Sequence, residues 1–183
     1  MSTTLDRQVS TGATCYPRQV FGSFELPTPL DPGSITPRGT TNSVSIRITA
    51  PGLSPSHRWL ASRLEADING MLQLPYGWDG ENASRITMDA VKATVSLVWQ
   101  VYDEPALAPL LFPLPGGGIQ AEWHAARQSV EIEVDEEGSA HLFITDEQGA
   151  VVVNRELSAE DSDGLNEAKR AVSHLSARIL SAR

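Results

Sequence analysis

Four short segments between residues 117 and 156 constrain this chain more than anything else in it. Ile119, Ala121 and Trp123 alternate with Gln120, Glu122 and His124. Val130, Ile132 and Val134 alternate with Glu131, Glu133 and Asp135, and Ala140, Leu142 and Ile144 with His141, Phe143 and Thr145. A period of two sends one set of side chains to each face of a strand. "GAVVVNREL" supplies a fourth strand, apolar on both faces at Val151 to Val153. The links "HAARQ", "DEEGS" and "DEQG" carry the glycine and acidic residues of hairpin turns. Connections that short force neighbouring strands to pair antiparallel. The segments therefore predict a meander over about 117–156 with one apolar face and one wet, acidic face.

Helices are expected near 55–72, 87–103 and 159–181 to cover the apolar face. Ser54 can cap the first, with Pro55 in its first turn, where a missing N–H costs nothing; Leu60, Leu64, Ile68 and Met71 or Leu72 make its stripe. Thr87 caps the second, Asp89 complements its dipole, and Val91, Val95, Val98 and Tyr102 lie on one side. "SAED" at Ser158 to Asp161 has the pattern of a capping box before Leu165, Ala168, Val172, Leu175 and Ile179. The proline-broken "EPALAPLLFPLP" is expected to be an irregular connector over the core edge.

Residues 1–53 read differently. Prolines 17, 27, 29, 32, 37 and 51 stand among many Ser and Thr, which prevents long regular elements. "SVSIRIT" near 43–49 is the exception: Val44, Ile46 and Ile48 alternate with polar residues, a candidate fifth strand of the same sheet. "QVFGSFEL" is a weaker strand candidate. The expectation is thus an α+β fold in two layers. A four- to five-stranded antiparallel meander packs against about three helices in 54–183, behind a Pro/Ser/Thr-rich extended arm.

The formal charge of −9 and pI near 4.8, with no run of basic residues, argue against nucleic acid and anionic membranes as partners. The single cysteine, Cys15, excludes an internal disulfide framework and a Cys-rich zinc site. No secretory leader and no membrane span is visible, so a cytoplasmic location is expected.

"PGGGIQAEWH" at 115–124 asks for a backbone explanation first. A phosphate-cradling loop feeds a helix N-terminus, whereas a strand follows here, so the glycines are read as a tight strand entry. Glu131, Glu133 and Asp135, with Glu122 on the neighbouring strand, fit either a solvated sheet face or a binding face for a basic partner. Nothing on such a wet surface would desolvate a carboxylate for acid–base work. "YGWDGENA" joins Tyr76 and Trp78 to Asp79 and Glu81 between glycines. Its tryptophan either plugs the core or is offered to a partner, as interface anchors are. Glu122, His124 and His141 are the one candidate metal set, without the spacing of a zinc motif.

Residues 74–135 resemble a family of small bacterial and phage proteins with a Trp-Asp-Gly loop and a Pro-x-Gly-Gly-x-x-x-Glu-Trp strand entry. "LPYGWDG" and "PGGGIQAEW" carry the likeness, while "ENASRIT" stands where relatives show Gly-Ala and a proline. The resemblance implies partner binding of the toxin–antitoxin kind.

The expected function is a non-catalytic protein-binding factor: an antitoxin, immunity-like protein, chaperone or adaptor. It would contact a basic protein through Tyr76, Trp78, Asp79, Glu81, Glu122, Glu131 and Glu133, with no cofactor and with homo-oligomerisation open. The alternatives are a structural or assembly protein of a phage or bacterial particle, docking through its arm, and a small metal-dependent hydrolase centred on Glu122, His124 and His141.

Overall fold

The computed structural model describes residues 8–10, 19–21, 34–40, 43–49, 52–125 and 127–181. Cys15 and most of the proline-rich arm lie outside the described residues. The chain divides into two compact units, Met1–Leu74 and Pro75–Arg183.

In the first unit, short strands β1 (Gln8–Ser10) and β2 (Gln19–Phe21) pair with each other, as do β3 (Ser34–Thr40) and β4 (Ser43–Thr49), both antiparallel. Helix α1 (Pro55–Met71) follows. Ser54 caps it as expected: its hydroxyl oxygen accepts from the His57 backbone N–H at 3.2 Å, and Pro55 occupies the first turn. Leu60, Ala61, Leu64, Ile68 and Met71 are buried on α1, and Ile46 and Ile48 are buried on β4. The alternation in "SVSIRIT" is thus that of a half-buried strand. Its partner, however, is β3. The expectation that it extends the large sheet is corrected, because the register from Ser34–Thr49 to Thr40–Ser43 makes a separate hairpin. Sequence reasoning missed β3, since Pro37 and Gly39 argue against a strand. Pro37 lies opposite Ile46, whose backbone groups turn away from β3 towards α1, so no ladder bond is asked of the proline there.

In the second unit, β5 (Leu110–Pro113), β6 (Ile119–Ala125), β7 (Gln128–Val134), β8 (Ala140–Thr145) and β9 (Val151–Leu157) form an antiparallel sheet in sequence order, the predicted meander. Its fifth strand is β5, which the sequence suggested to be an irregular connector; the four residues Leu110–Pro113 that follow Pro109 suffice for an edge strand. Helices α2 (Met88–Val101) and α3 (Ser162–Ser181) pack on the sheet and on each other. Ile119, Ala121, Val130, Ile132, Val134 and Leu142 of the sheet have no exposed area, nor do Val91, Val95 and Val98 of α2 or Ala168 and Val172 of α3. Each large apolar side chain so buried contributes about 1.5–3 kcal/mol, which holds the layers together.

The caps are partly as expected. Thr87 caps α2, accepting from Ala90 N–H at 3.1 Å, and its hydroxyl donates to the Glu136 carbonyl at 2.7 Å. The cap of α3 is Asp161, whose carboxylate accepts from Gly164 N–H at 3.0 Å. Ser158 lies one turn earlier, its carbonyl accepting from Asp161 N–H at 3.1 Å, so the capping-box register is corrected by three residues. Both later hairpins share one construction. Asp135 and Asp146 each accept two backbone N–H bonds across a turn closed by Gly138 (φ 89°) and Gly149 (φ 81°).

Candidate functional site

The outward face of the five-stranded sheet is laid out by strand register. One cross-strand row runs Leu110, Glu122, Glu131, Phe143, Asn154; the next runs Phe112, Gln120, Glu133, His141, Glu156. Because Val130, Ile132 and Val134 are fully buried, Glu131 and Glu133 are turned to the opposite, half-exposed side. The sheet therefore brings together the three candidate residues Glu122, Glu131 and Glu133.

Those carboxylates are not equivalent. Glu122 meets His124 Nδ1 at 2.7 Å. Glu131 accepts from the Ser129 hydroxyl at 2.7 Å and from Gln120 Nε2 at 3.2 Å. The carboxylate of Glu133, between Gln120 and His141, makes no hydrogen bond or ion pair among the described residues. Its charge and that of Glu156, in the same row on β9, are left for an outside cation.

Apolar residues that sequence reasoning missed share the face. Leu110 and Phe112 on β5 are 44% and 42% exposed. Phe143 is half-buried and stacks against His141 with ring centroids 4.7 Å apart. The available signal was the alternation Leu110-x-Phe112 between two prolines, the mark of an edge strand. The face is thus mixed: carboxylates on β6, β7 and β9, apolar side chains on β5 and β8.

The aromatic loop and the glycine turn form one assembly at the end of the sheet where β5 turns into β6. Trp78 is half-buried and its Nε1–H donates to the Ser84 carbonyl at 3.2 Å. Asp79 accepts from the backbone N–H groups of Glu81 (2.9 Å) and Ala83 (3.2 Å), so its carboxylate serves the loop itself. The loop then docks on the glycine turn: Ser84 N–H donates to the Pro115 carbonyl at 2.7 Å, and Thr87 N–H to the Gly117 carbonyl at 3.0 Å. A Cβ on Gly117 would lie 2.8 Å from the Arg85 carbonyl oxygen, and one on Gly118 2.1 Å from that of Val134. The glycines of "PGGG" are there because backbone approaches backbone. Of the loop's candidate residues, Tyr76 (64% exposed), Asp79 and Glu81 are presented to solvent, Asp79 while also holding its own loop; Trp78 is half-buried against it.

Glu122, His124 and His141 are not gathered into a metal site. His141 lies two strands from β6, about 10 Å at the usual strand spacing, and its Nε2 is 2.6 Å from Asn154 Oδ1. Among the described residues, no group of three or more His, Cys, Asp or Glu could hold a metal ion, and no helix is long and apolar enough to cross a membrane. No family model, curated protein or solved structure matches the chain.

Proposed function

We propose that this chain is a cytoplasmic, non-catalytic protein-binding factor whose outward sheet face receives a basic protein. The observation that carries this is the face's composition. Glu122, Glu131, Glu133 and Glu156 stand within one or two strand spacings of Leu110, Phe112 and Phe143, on a rigid five-stranded support. Interfaces need an apolar anchor with charges of one sign around it. The anchor supplies desolvation; the charges supply steering and partner choice. Tyr76, at the sheet end beside the glycine turn, is a further exposed aromatic for the same partner.

The test is affinity purification from the source cell with the native chain and with Glu133→Lys. A basic protein should be retained by the native chain, released by salt, and lost with the variant. Retention of the same protein by Glu133→Lys at unchanged strength would reject the face.

A further inference from the structure

We infer that α1 guards the open edge of β4 against the β4 strand of a second copy of this chain. Among the described residues, strand β4 is paired to β3 on one side only. On the side where a third strand would lie, two side chains of α1 and one just after it take its place. Gln73 Nε2, just beyond the helix, donates to the Val44 carbonyl at 2.9 Å. Asn69 accepts from Ile46 N–H at 2.6 Å and donates through Nδ2 to the Ile46 carbonyl at 3.0 Å. Glu65 accepts from Ile48 N–H.

The two repeats match. Residues four apart on a helix rise about 6 Å, while alternate residues on a strand rise about 6.8 Å. One polar side chain per helical turn therefore serves each successive outward-facing strand residue, with helix and strand running in opposite senses. The chemistry matches as well. Asn69, whose amide has both donor and acceptor, bonds both outward groups of Ile46, while Glu65 accepts from the Ile48 N–H and Gln73 donates to the Val44 carbonyl. An open edge with apolar alternation is a template for another strand, and covering it is the usual defence.

The occupant excluded is β4 itself, because its sequence is self-complementary across this edge. Antiparallel pairing centred on Ile46 puts Val44 opposite Ile48, Ser45 opposite Arg47 and Ser43 opposite Thr49 of the second copy. Arg47, the strand's one charge, then faces a serine, so no like charges oppose and aliphatic residues meet aliphatic ones. Since Ile46 presents its N–H and C=O outward, it would make the hydrogen-bonded pair on the axis. Positions 45 and 47 would form the close, non-bonded pair with Cα atoms about 4.5 Å apart.

That geometry sets the test. In a Cys15→Ser background, full-length chains carrying Ser45→Cys are mixed with chains carrying Arg47→Cys, with α1 intact or with Glu65→Ala and Asn69→Ala together. Mixed disulfide dimers should rise at least severalfold when the two guard residues are removed. Equal yields in both backgrounds, or no excess of the mixed dimer over Ser45→Cys homodimers, overturn the inference. Should the double variant lose its helical signal, Asn69→Ser alone decides by hydrogen exchange. The Ile46 amide should exchange about tenfold faster or more, with Ser45 and Arg47 unchanged; retained protection of Ile46 overturns the guard.

Discussion

Glu122 on β6 stands directly opposite Glu131 on β7, and each carboxylate is held by a neighbour on its own face. Like charges so placed cost a few tenths of a kcal/mol. The arrangement is therefore a place where the fold accepts instability.

If that cost serves partner binding, neutralising it should separate stability from function. Glu131→Gln keeps an acceptor for Ser129 and removes the repulsion. Its unfolding free energy should rise by roughly 0.2–1 kcal/mol at low salt, with the gain shrinking as ionic strength increases. Capture of the basic partner should weaken at the same time. Chemical denaturation at two salt concentrations checks the first part; a stability loss in Glu131→Gln would show that the pair is not strained.

The glycine turn gives a purely steric prediction. Gly118→Ala would push a Cβ to 2.1 Å from the Val134 carbonyl oxygen, a backbone atom that cannot swing aside. The expected loss is about 2–4 kcal/mol, the range of overpacked core sites. Gly80 is the contrast. It has φ +88° with nothing within 4 Å, so Gly80→Ala costs about 1–2 kcal/mol through backbone strain alone. Thermal denaturation of both variants should rank Gly118→Ala as the more damaging; the opposite order would refute the close approach.

The architecture of the second unit was legible because its signals are local. Alternation at Ile119–Trp123, Val130–Val134 and Ala140–Ile144 fixes which face is buried, and short Asp/Gly turns fix antiparallel neighbours. What escaped depends on groups far apart in sequence. Strand β3 carries Pro37 and Gly39, and β5 is four residues long, so each exists because a neighbour supplies the ladder. The site was half-legible for the same reason. Alternation put Glu122, Glu131 and Glu133 on one face, but only the register shows that Leu110, Phe112 and Phe143 share it, and only the folded loop shows that Asp79 accepts from Glu81 and Ala83.

Thr87 ties α2 to the β7–β8 turn as well as capping the helix, through a hydroxyl that accepts from Ala90 N–H and donates to the Glu136 carbonyl. Thr87→Ala removes both bonds and should cost about 1–2 kcal/mol, whereas Thr87→Ser keeps the oxygen and should cost less than half of that. Equal losses in the two variants, measured by denaturant titration, would assign the effect to the methyl group instead.

Phe112 separates the two halves of the proposed interface. It is 42% exposed on an edge strand, so replacing it should change stability by about 0.5 kcal/mol or less. Phe112→Glu adds a negative charge beside Gln120 and in the same row as Glu133, which by electrostatics alone should strengthen attraction to a basic protein and speed association. It also deletes an apolar anchor from the same row, and anchors that are desolvated on binding govern dissociation. If the apolar stripe matters, Phe112→Glu binds more weakly despite the extra charge, with the loss in the dissociation rate. Phe112→Leu should then retain most of the affinity. Tighter binding by Phe112→Glu would leave the carboxylates as the whole of the interface, and the stripe on β5 as no more than the exposed side of an edge strand.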